Sequence, residues 1–127
     1  MAKKVLVVDD SVMIRRMVST TLTESKMEVE IAEDGAAALE ILKSFHPQLI
    51  ISDFNMPKLN GIAFVKTIRQ NEEFVAHKLV PVLMLTTEHT QERIQEGMAA
   101  GVSAWMVKPF LPERLLSVVQ KMIGLEE

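Results

Sequence analysis

The sequence predicts an α/β protein with a single, doubly wound, five-stranded parallel sheet that carries helices on both faces. Apolar runs of strand length alternate along the chain with segments whose apolar residues recur at helical spacing. This alternation favours a parallel sheet, because a helical crossover has to return the chain before the next parallel strand begins. Acidic, hydroxyl or cationic residues directly follow four of the runs, which indicates a site at the edge where the strands end.

The composition points to one domain and argues against several functions. The 127 residues, 48% of them hydrophobic, are enough for one core, so we expect a single domain over residues 1–127. The net charge of −3 and the scattered basic residues argue against nucleic-acid binding, and the lack of Cys excludes thiolate sites. No apolar run reaches the ~18 residues of a spanning helix and no signal peptide is evident, so we expect a cytoplasmic protein without membrane insertion.

In the first half of the chain, strand and helix patterns alternate. The predicted strands are Lys4–Val8, residues 28–31 and Leu49–Ser52. The first is a continuous, largely β-branched run, as expected of a central strand, whereas the second alternates Glu with apolar residues, as in a strand exposed on one side. Helical spacing predicts one helix after Asp10 and another over residues 35–45, which Pro47 ends.

The second half continues the alternation. Residues 55–61 contain Pro, Asn and Gly and predict a loop, and buried strands are expected over residues 80–85 and Ala104–Val107. Between these strands, Gly101 is expected to close a short fourth helix. The apolar positions that mark the three helices of this half are, in order, Ile62, Val65 and Ile68; Ile94 and Met98; and Leu115, Leu116, Val119, Met122 and Ile123.

Polar residues at the predicted strand ends form the candidate site. They are Asp9 and Asp10 after the first run, Asp53 after the third, Thr86 at the fourth and Lys108 after the fifth. Parallel strands end at one edge, so groups up to 99 positions apart can meet there. One of the adjacent acids could cap the following helix. Three carboxylates brought together repel one another, however, and a hard divalent cation such as Mg²⁺ relieves that repulsion with oxygen ligands.

On these motifs, the chain resembles response-regulator receiver domains, and among them it is similar to the stand-alone chemotaxis, or CheY-like, type. The motifs cover essentially the whole chain: VLVVDDS, AEDG, ISDFNMP, NG, PVLMLTTE and AGVSAWMVKPF. The resemblance implies a flavodoxin-like sheet of strand order 2-1-3-4-5 with five helices. It also implies a signalling switch rather than an enzyme, although the domain catalyses its own phosphorylation and dephosphorylation.

The resemblance assigns roles to the residues at the sheet edge. Asp53 becomes the phosphoacceptor, assisted by Lys108, whose peptide bond to the following proline is expected to be cis. Mg²⁺ is held directly by Asp10 and Asp53 and by the backbone carbonyl of Asn55, while Asp9 acts mostly through water.

Further roles follow for the residues around this edge. Thr86 and Trp105 become the switch pair, the hydroxyl moving toward phosphate and the ring moving inward. Asn55 and Glu88 tune dephosphorylation. We expect the neighbouring Arg15 and Arg16 to be solvated rather than bound to phosphate.

The implied partners are proteins. They are a sensor histidine kinase or phosphotransfer protein, a target such as the flagellar motor switch on the face of helix 4, strand 5 and helix 5, and a phosphatase. A phosphate shuttle in a multistep relay would use the same site. A Mg²⁺-dependent phosphatase with an aspartate nucleophile is less favoured. The haloacid-dehalogenase type has a second acid two residues after the nucleophile, whereas the first strand here is followed by Asp9-Asp10-Ser11. A flavin or nucleotide binder lacks support, since neither GxGxxG nor GxxxxGK occurs.

Overall fold

A computed structural model describes residues 2–124 and confirms the predicted architecture over that range. Its five strands are all parallel and lie in the order β2-β1-β3-β4-β5. The strands are β1 (Lys4–Val8), β2 (Glu28–Ala32), β3 (Leu49–Ser52), β4 (Val82–Thr86) and β5 (Ala104–Val107). The α-helices are α1 (Val12–Thr23), α2 (Gly35–Leu42), α3 (Gly61–Gln70), α4 (Gln91–Ala100) and α5 (Pro112–Ile123). Met1 and residues 125–127, which the predicted domain includes, lie outside the described residues.

Two hydrophobic cores lie on opposite faces of the sheet. Leu6 and Val8 of β1 belong to the core that α2, α3 and α4 cover. Val5 and Val7 belong to the core that α1 and α5 cover. Successive side chains of a strand point to opposite faces, so a strand covered on both sides needs an unbroken apolar run. The continuous first run is therefore the direct consequence of its central place.

Some element boundaries differ from the sequence prediction, and one element was not predicted. Helix α2 ends at Leu42 rather than residue 45, although Phe45 still packs in the core. Strand β4 begins at Val82 rather than residue 80, because Pro81 has no N–H to donate to a neighbouring strand. A short 3₁₀ helix over Glu72–His77, which the sequence did not predict, follows α3.

Two predicted apolar markers turn out to be exposed. Met98 marks α4 by its spacing, but the buried residues of this helix are the small Gly97 and Ala100. Ile31 lies in β2, an edge strand with one neighbour, and is also exposed. Helix α4 therefore packs closely through small residues and leaves Met98 on the surface. Across residues 2–124, no helix has the length and apolar character needed to cross a membrane.

Candidate functional site

The carboxyl ends of β1, β3 and β5 bring three charged side chains into direct contact, as the sequence predicted. The Lys108 Nζ donates to Asp9 Oδ2 at 2.8 Å and to Asp53 Oδ2 at 3.2 Å. Lys108 lies 99 positions from Asp9, and its peptide bond to Pro109 is cis, as the resemblance implied. One ammonium thus bridges two carboxylates from different strands.

The acidic pair after β1 is not used to cap α1. Ser11 is the cap, its Oγ accepting from the Ile14 N–H at 3.2 Å. Asp9 is buried and its Oδ1 accepts from the Ser11 N–H at 2.9 Å, whereas Asp10 is exposed. The hydroxyl satisfies the helix end, so the Asp9 Oδ2 and the whole Asp10 carboxylate remain available to the site.

Asp53 is held rigidly at the end of β3. Its N–H donates to the Val8 carbonyl at 3.0 Å, and its Oδ1 accepts from the Phe54 N–H at 2.6 Å. Gly61 opens α3 directly against this turn, and a Cβ on Gly61 would overlap the Asp53 carbonyl oxygen. Asp53 is only 8% exposed, and its second oxygen, Oδ2, accepts from Lys108.

The local charges are unbalanced. Burial raises the pKa of Asp9, and repulsion from Asp53 adds to this, against hydrogen bonds from Lys108 and the Ser11 N–H. Burial works against the ammonium of Lys108, but the hydrogen bonds and charges of Asp9 and Asp53 outweigh it and raise the pKa of Lys108. Burial is therefore the main cause of the raised pKa of Asp9, whereas the two neighbouring carboxylates are the cause of the raised pKa of Lys108.

The donor set suits a hard divalent cation. Asp9, Asp10 and Asp53 each offer a carboxylate oxygen, and these oxygens lie within 4.8 Å of one another. Mg²⁺ prefers oxygen ligands and keeps several waters, so the exposed Asp10 gives it a solvent-facing side. The excess of negative charge and the donor chemistry both fit the predicted ion.

The remaining predicted residues meet through Glu88 rather than around Asp53. The Thr86 hydroxyl accepts from the Glu88 N–H at 3.3 Å, and the Trp105 indole N–H donates to the Glu88 carbonyl at 2.9 Å. The Asn55 Nδ2 donates to the Glu88 Oε2 at 2.9 Å. Glu88 therefore links the predicted switch pair to the predicted tuning pair, a connection that sequence spacing did not indicate.

Two arginines play parts that the sequence did not reveal. Arg15, expected to be solvated, is half-buried, and its Nη1 donates to the Asp9 carbonyl at 2.7 Å, which fixes the end of β1. Arg16 is exposed, as expected. Arg93 of α4 lies over the Phe54 ring, with its guanidinium carbon 5.5 Å from the ring centroid. Neither contact has a motif signature, because each depends on where the helix places a long side chain.

The Trp105 ring lies against the core of α2, α3 and α4, where a glycine gives it room. Its centroid is 6.0 Å from that of Phe54, and Gly97 of α4 faces its six-membered ring. Trp is larger than Tyr or Phe, so the absence of a side chain at position 97 is what accommodates it. The sequence marked Trp105, but not its dependence on Gly97.

Gly97→Ala should displace this ring. The added Cβ would lie 2.5 Å from Trp105 Cζ3, whereas elsewhere in a helix the same change gains up to about 1 kcal/mol of propensity. We therefore expect a lower thermal midpoint and tryptophan emission at longer wavelength as the indole becomes more exposed. Gln95→Ala, on the exposed part of the same helix, is the control. An unchanged emission maximum would show that the ring tolerates the methyl group where it lies.

The fold and the acid–lysine cluster define a class of protein. A model of the response regulator receiver domain matches residues 5–120, and the chain belongs to this family. It is a receiver of the CheY-like kind, a signalling domain of two-component systems.

Several of the similar proteins are chemotaxis proteins. The chain is 37% identical over 123 residues to chemotaxis protein CheY1 of Helicobacter pylori. This alignment covers 95% of this chain and 97% of that protein. Chemotaxis protein CheY-3 of Vibrio cholerae is 39% identical over 119 residues, covering 93% and 89% respectively. Among solved structures, the chemotaxis response regulator CheY4 of Vibrio cholerae superposes with a TM-score of 0.87 at 48% identity, covering 96% of this chain and 99% of that one.

Proposed function

We propose that this chain acts as a response-regulator receiver that accepts a phosphoryl group on Asp53 and thereby changes its affinity for a target protein. The observation that carries the proposal is the Lys108 ammonium bridging Asp9 and Asp53 at the sheet edge. The phosphoryl donor is the phosphohistidine of a sensor kinase or phosphotransfer protein. Because the relatives named above are chemotaxis proteins, we place the chain in chemotaxis signalling in the cytoplasm, with the flagellar motor switch as the candidate target.

The chemistry requires a carboxylate nucleophile and compensating positive charge. The Oδ2 of Asp53 attacks phosphorus in line; a P–O bond forms as the donor's P–N bond breaks, and the electron pair of the P–N bond stays on the imidazole. The Phe54 N–H holds Oδ1 throughout, and Lys108 is near enough to Oδ2 to stabilise charge on the transferred group. Asp9 keeps the Lys108 ammonium in place, because its Oδ2 accepts a second hydrogen bond from that group.

A bound Mg²⁺ would supply further positive charge for the phosphoryl oxygens. Asp10 and Asp53 would hold it with the Asn55 carbonyl, and Asp9 would act through water. The chain's own part is to set these oxygens side by side at the sheet edge.

The hydrogen bonds of Glu88 provide a route from the site to the surface. Movement of the Thr86 hydroxyl toward a phosphoryl oxygen would weaken its bond with the Glu88 N–H. The Glu88 carbonyl accepts from the Trp105 indole, so displacement of this backbone segment is transmitted to the ring. Thr86 and Trp105 thus form the switch, and Asn55 and Glu88 tune how long it stays on.

The surface that reads out the switch is formed by α4, β5 and α5. Met98, Val107 and Leu111 are exposed apolar residues from these elements or the loop between them. A cavity of about 540 Å³ is lined by Val107, Leu111 and Trp105, so movement of the ring alters its shape. A target protein binds this α4-β5-α5 surface. A phosphatase that ends the signal approaches the carboxyl edge of the sheet, where Asp53 lies.

Phosphoryl acceptance is the direct test of this function. Incubation with acetyl phosphate and Mg²⁺ should add one phosphoryl mass to the intact protein, and mild base should remove it as expected of an acyl phosphate. A base-stable adduct would indicate a serine or threonine ester, and no adduct would contradict the assignment. Pull-downs with and without beryllofluoride then identify proteins that bind the activated form alone.

Mg²⁺ binding should be visible in stability. An ion that binds the folded chain selectively stabilises it by ~2.7 kcal/mol at a hundred times its dissociation constant. We expect Mg²⁺ to raise the thermal midpoint by several degrees and Asp10→Ala to remove most of that rise. Glu33→Ala, which removes an exposed acid directly after β2, is the control and should respond like the unaltered protein. Equal responses of the unaltered protein and Asp10→Ala would rule out the site.

A further inference from the structure

Arg93 makes four contacts around one part of the site, although it belongs to none of the predicted groups. Its backbone N–H is capped by the Thr90 hydroxyl at 3.2 Å, which fixes it in the first turn of α4. Its Nε lies 4.0 Å from Glu88 Oε1, and its Nη1 lies 3.1 Å from Glu96 Oε1. The guanidinium also covers the face of Phe54, the residue directly after Asp53.

The carboxylate that Arg93 contacts also binds a residue of the loop that follows Asp53. Glu88 Oε2 accepts from the Asn55 amide, which joins the loop after β4 to the loop after β3 across 33 positions of sequence. The ion pair and this hydrogen bond use different oxygens of Glu88, so both form at once. The two loops are held together at the same sheet edge where Asp53 lies.

We infer that Arg93 is a positioning residue for dephosphorylation. This rests on the proposed function of Asp53. Hydrolysis requires water to attack the phosphorus of the acyl phosphate, forming a new P–O bond, breaking the bond to Asp53 and releasing inorganic phosphate with the restored carboxylate. Arg93 keeps the Glu88 carboxylate hydrogen-bonded to the Asn55 amide. This closed arrangement hinders the attacking water from reaching the phosphorus, so the phosphorylated form lasts longer.

The expected size of the effect follows from exposure. The Arg93 and Glu88 side chains are 50% and 30% exposed, and ion pairs this open to solvent are individually weak. The stacking on Phe54 and the pair with Glu96 restrict the guanidinium further. We expect a change in hydrolysis rate of roughly two- to threefold, since small free-energy differences already change rates by such factors.

The experiment measures the lifetime of the phosphoryl adduct. The protein is phosphorylated with acetyl phosphate and Mg²⁺, the donor is removed, and loss of the adduct is followed by intact mass. Arg93→Gln should shorten the lifetime two- to threefold, roughly. Arg93→Lys keeps the positive charge, so the lifetime of its adduct should lie between those of Arg93→Gln and the unaltered protein. Arg16→Gln changes an exposed arginine on α1 and should leave the lifetime unaltered.

A double variant separates positioning from a merely structural role. In Glu88→Gln the ion pair is lost, so adding Arg93→Gln should have no further effect on the lifetime. An equal effect of Arg93→Gln with and without Glu88→Gln would mean that it acts through helix packing, and would overturn the inference. So would an unchanged or longer lifetime in Arg93→Gln alone. Failure of the unaltered protein to form any adduct overturns the proposed function as well, whereas a normal adduct with unaltered lifetime overturns this inference alone.

Discussion

Asp53→Asn is expected to abolish the base-labile phosphoryl adduct. The amide retains the size of the side chain and an oxygen that can accept from the Phe54 N–H, so the turn after β3 is preserved. It lacks the carboxylate charge that makes Oδ2 a nucleophile, and phosphoryl transfer from acetyl phosphate should fall to background. Intact mass before and after mild base measures both the adduct and its chemical type.

Asp34→Asn is the matched control for this variant. Asp34 is another buried aspartate that follows a strand, and it caps α2 by accepting from the Ala37 N–H at 2.8 Å. Asn caps a helix about as well as Asp, so the fold and the adduct at Asp53 should both survive. An adduct that persists in Asp53→Asn would show that another residue receives the phosphoryl group.

Lys108→Met is expected to slow phosphoryl transfer by at least ~100-fold, the order found when one stabilising donor is removed from a preorganised site. Methionine has a similar length and no charge, so it leaves Asp9 and Asp53 facing each other without the ammonium that bridges them. The rate of adduct formation at fixed acetyl phosphate and Mg²⁺ measures the effect, and circular dichroism confirms that the protein is folded.

Two further lysine variants test the geometry of this contact. Lys108→Arg keeps the charge, but its planar guanidinium differs in shape from the compact ammonium, so this variant should recover only part of the rate. Lys66→Met alters an exposed lysine of α3 and should leave the rate unchanged. A normal rate in Lys108→Met would mean that the ammonium has only a structural part at the sheet edge.

Some features of the fold followed directly from local patterns. Lys4–Val8 reads as a central strand because both of its faces are buried, and Gly101 ends α4 in the left-handed conformation that glycine adopts readily. Local patterns determined the ends of the helices less well, since α2 ends at Leu42 although the apolar spacing continues to Phe45. The apolar spacing indicates which residues are buried, and Phe45 is buried although it lies in the irregular segment after the helix.

The sequence by itself determined the alternating architecture, and with it the convergence of Asp9, Asp53 and Lys108, because parallel strands place their carboxyl ends at one edge. Only the tertiary structure decided how the surrounding residues are connected. Glu88 joins Thr86, Trp105 and Asn55 through three different groups, and Gly97 makes room for the indole. Contacts of this kind depend on loop paths and side-chain directions between distant segments, which no periodicity along the chain records.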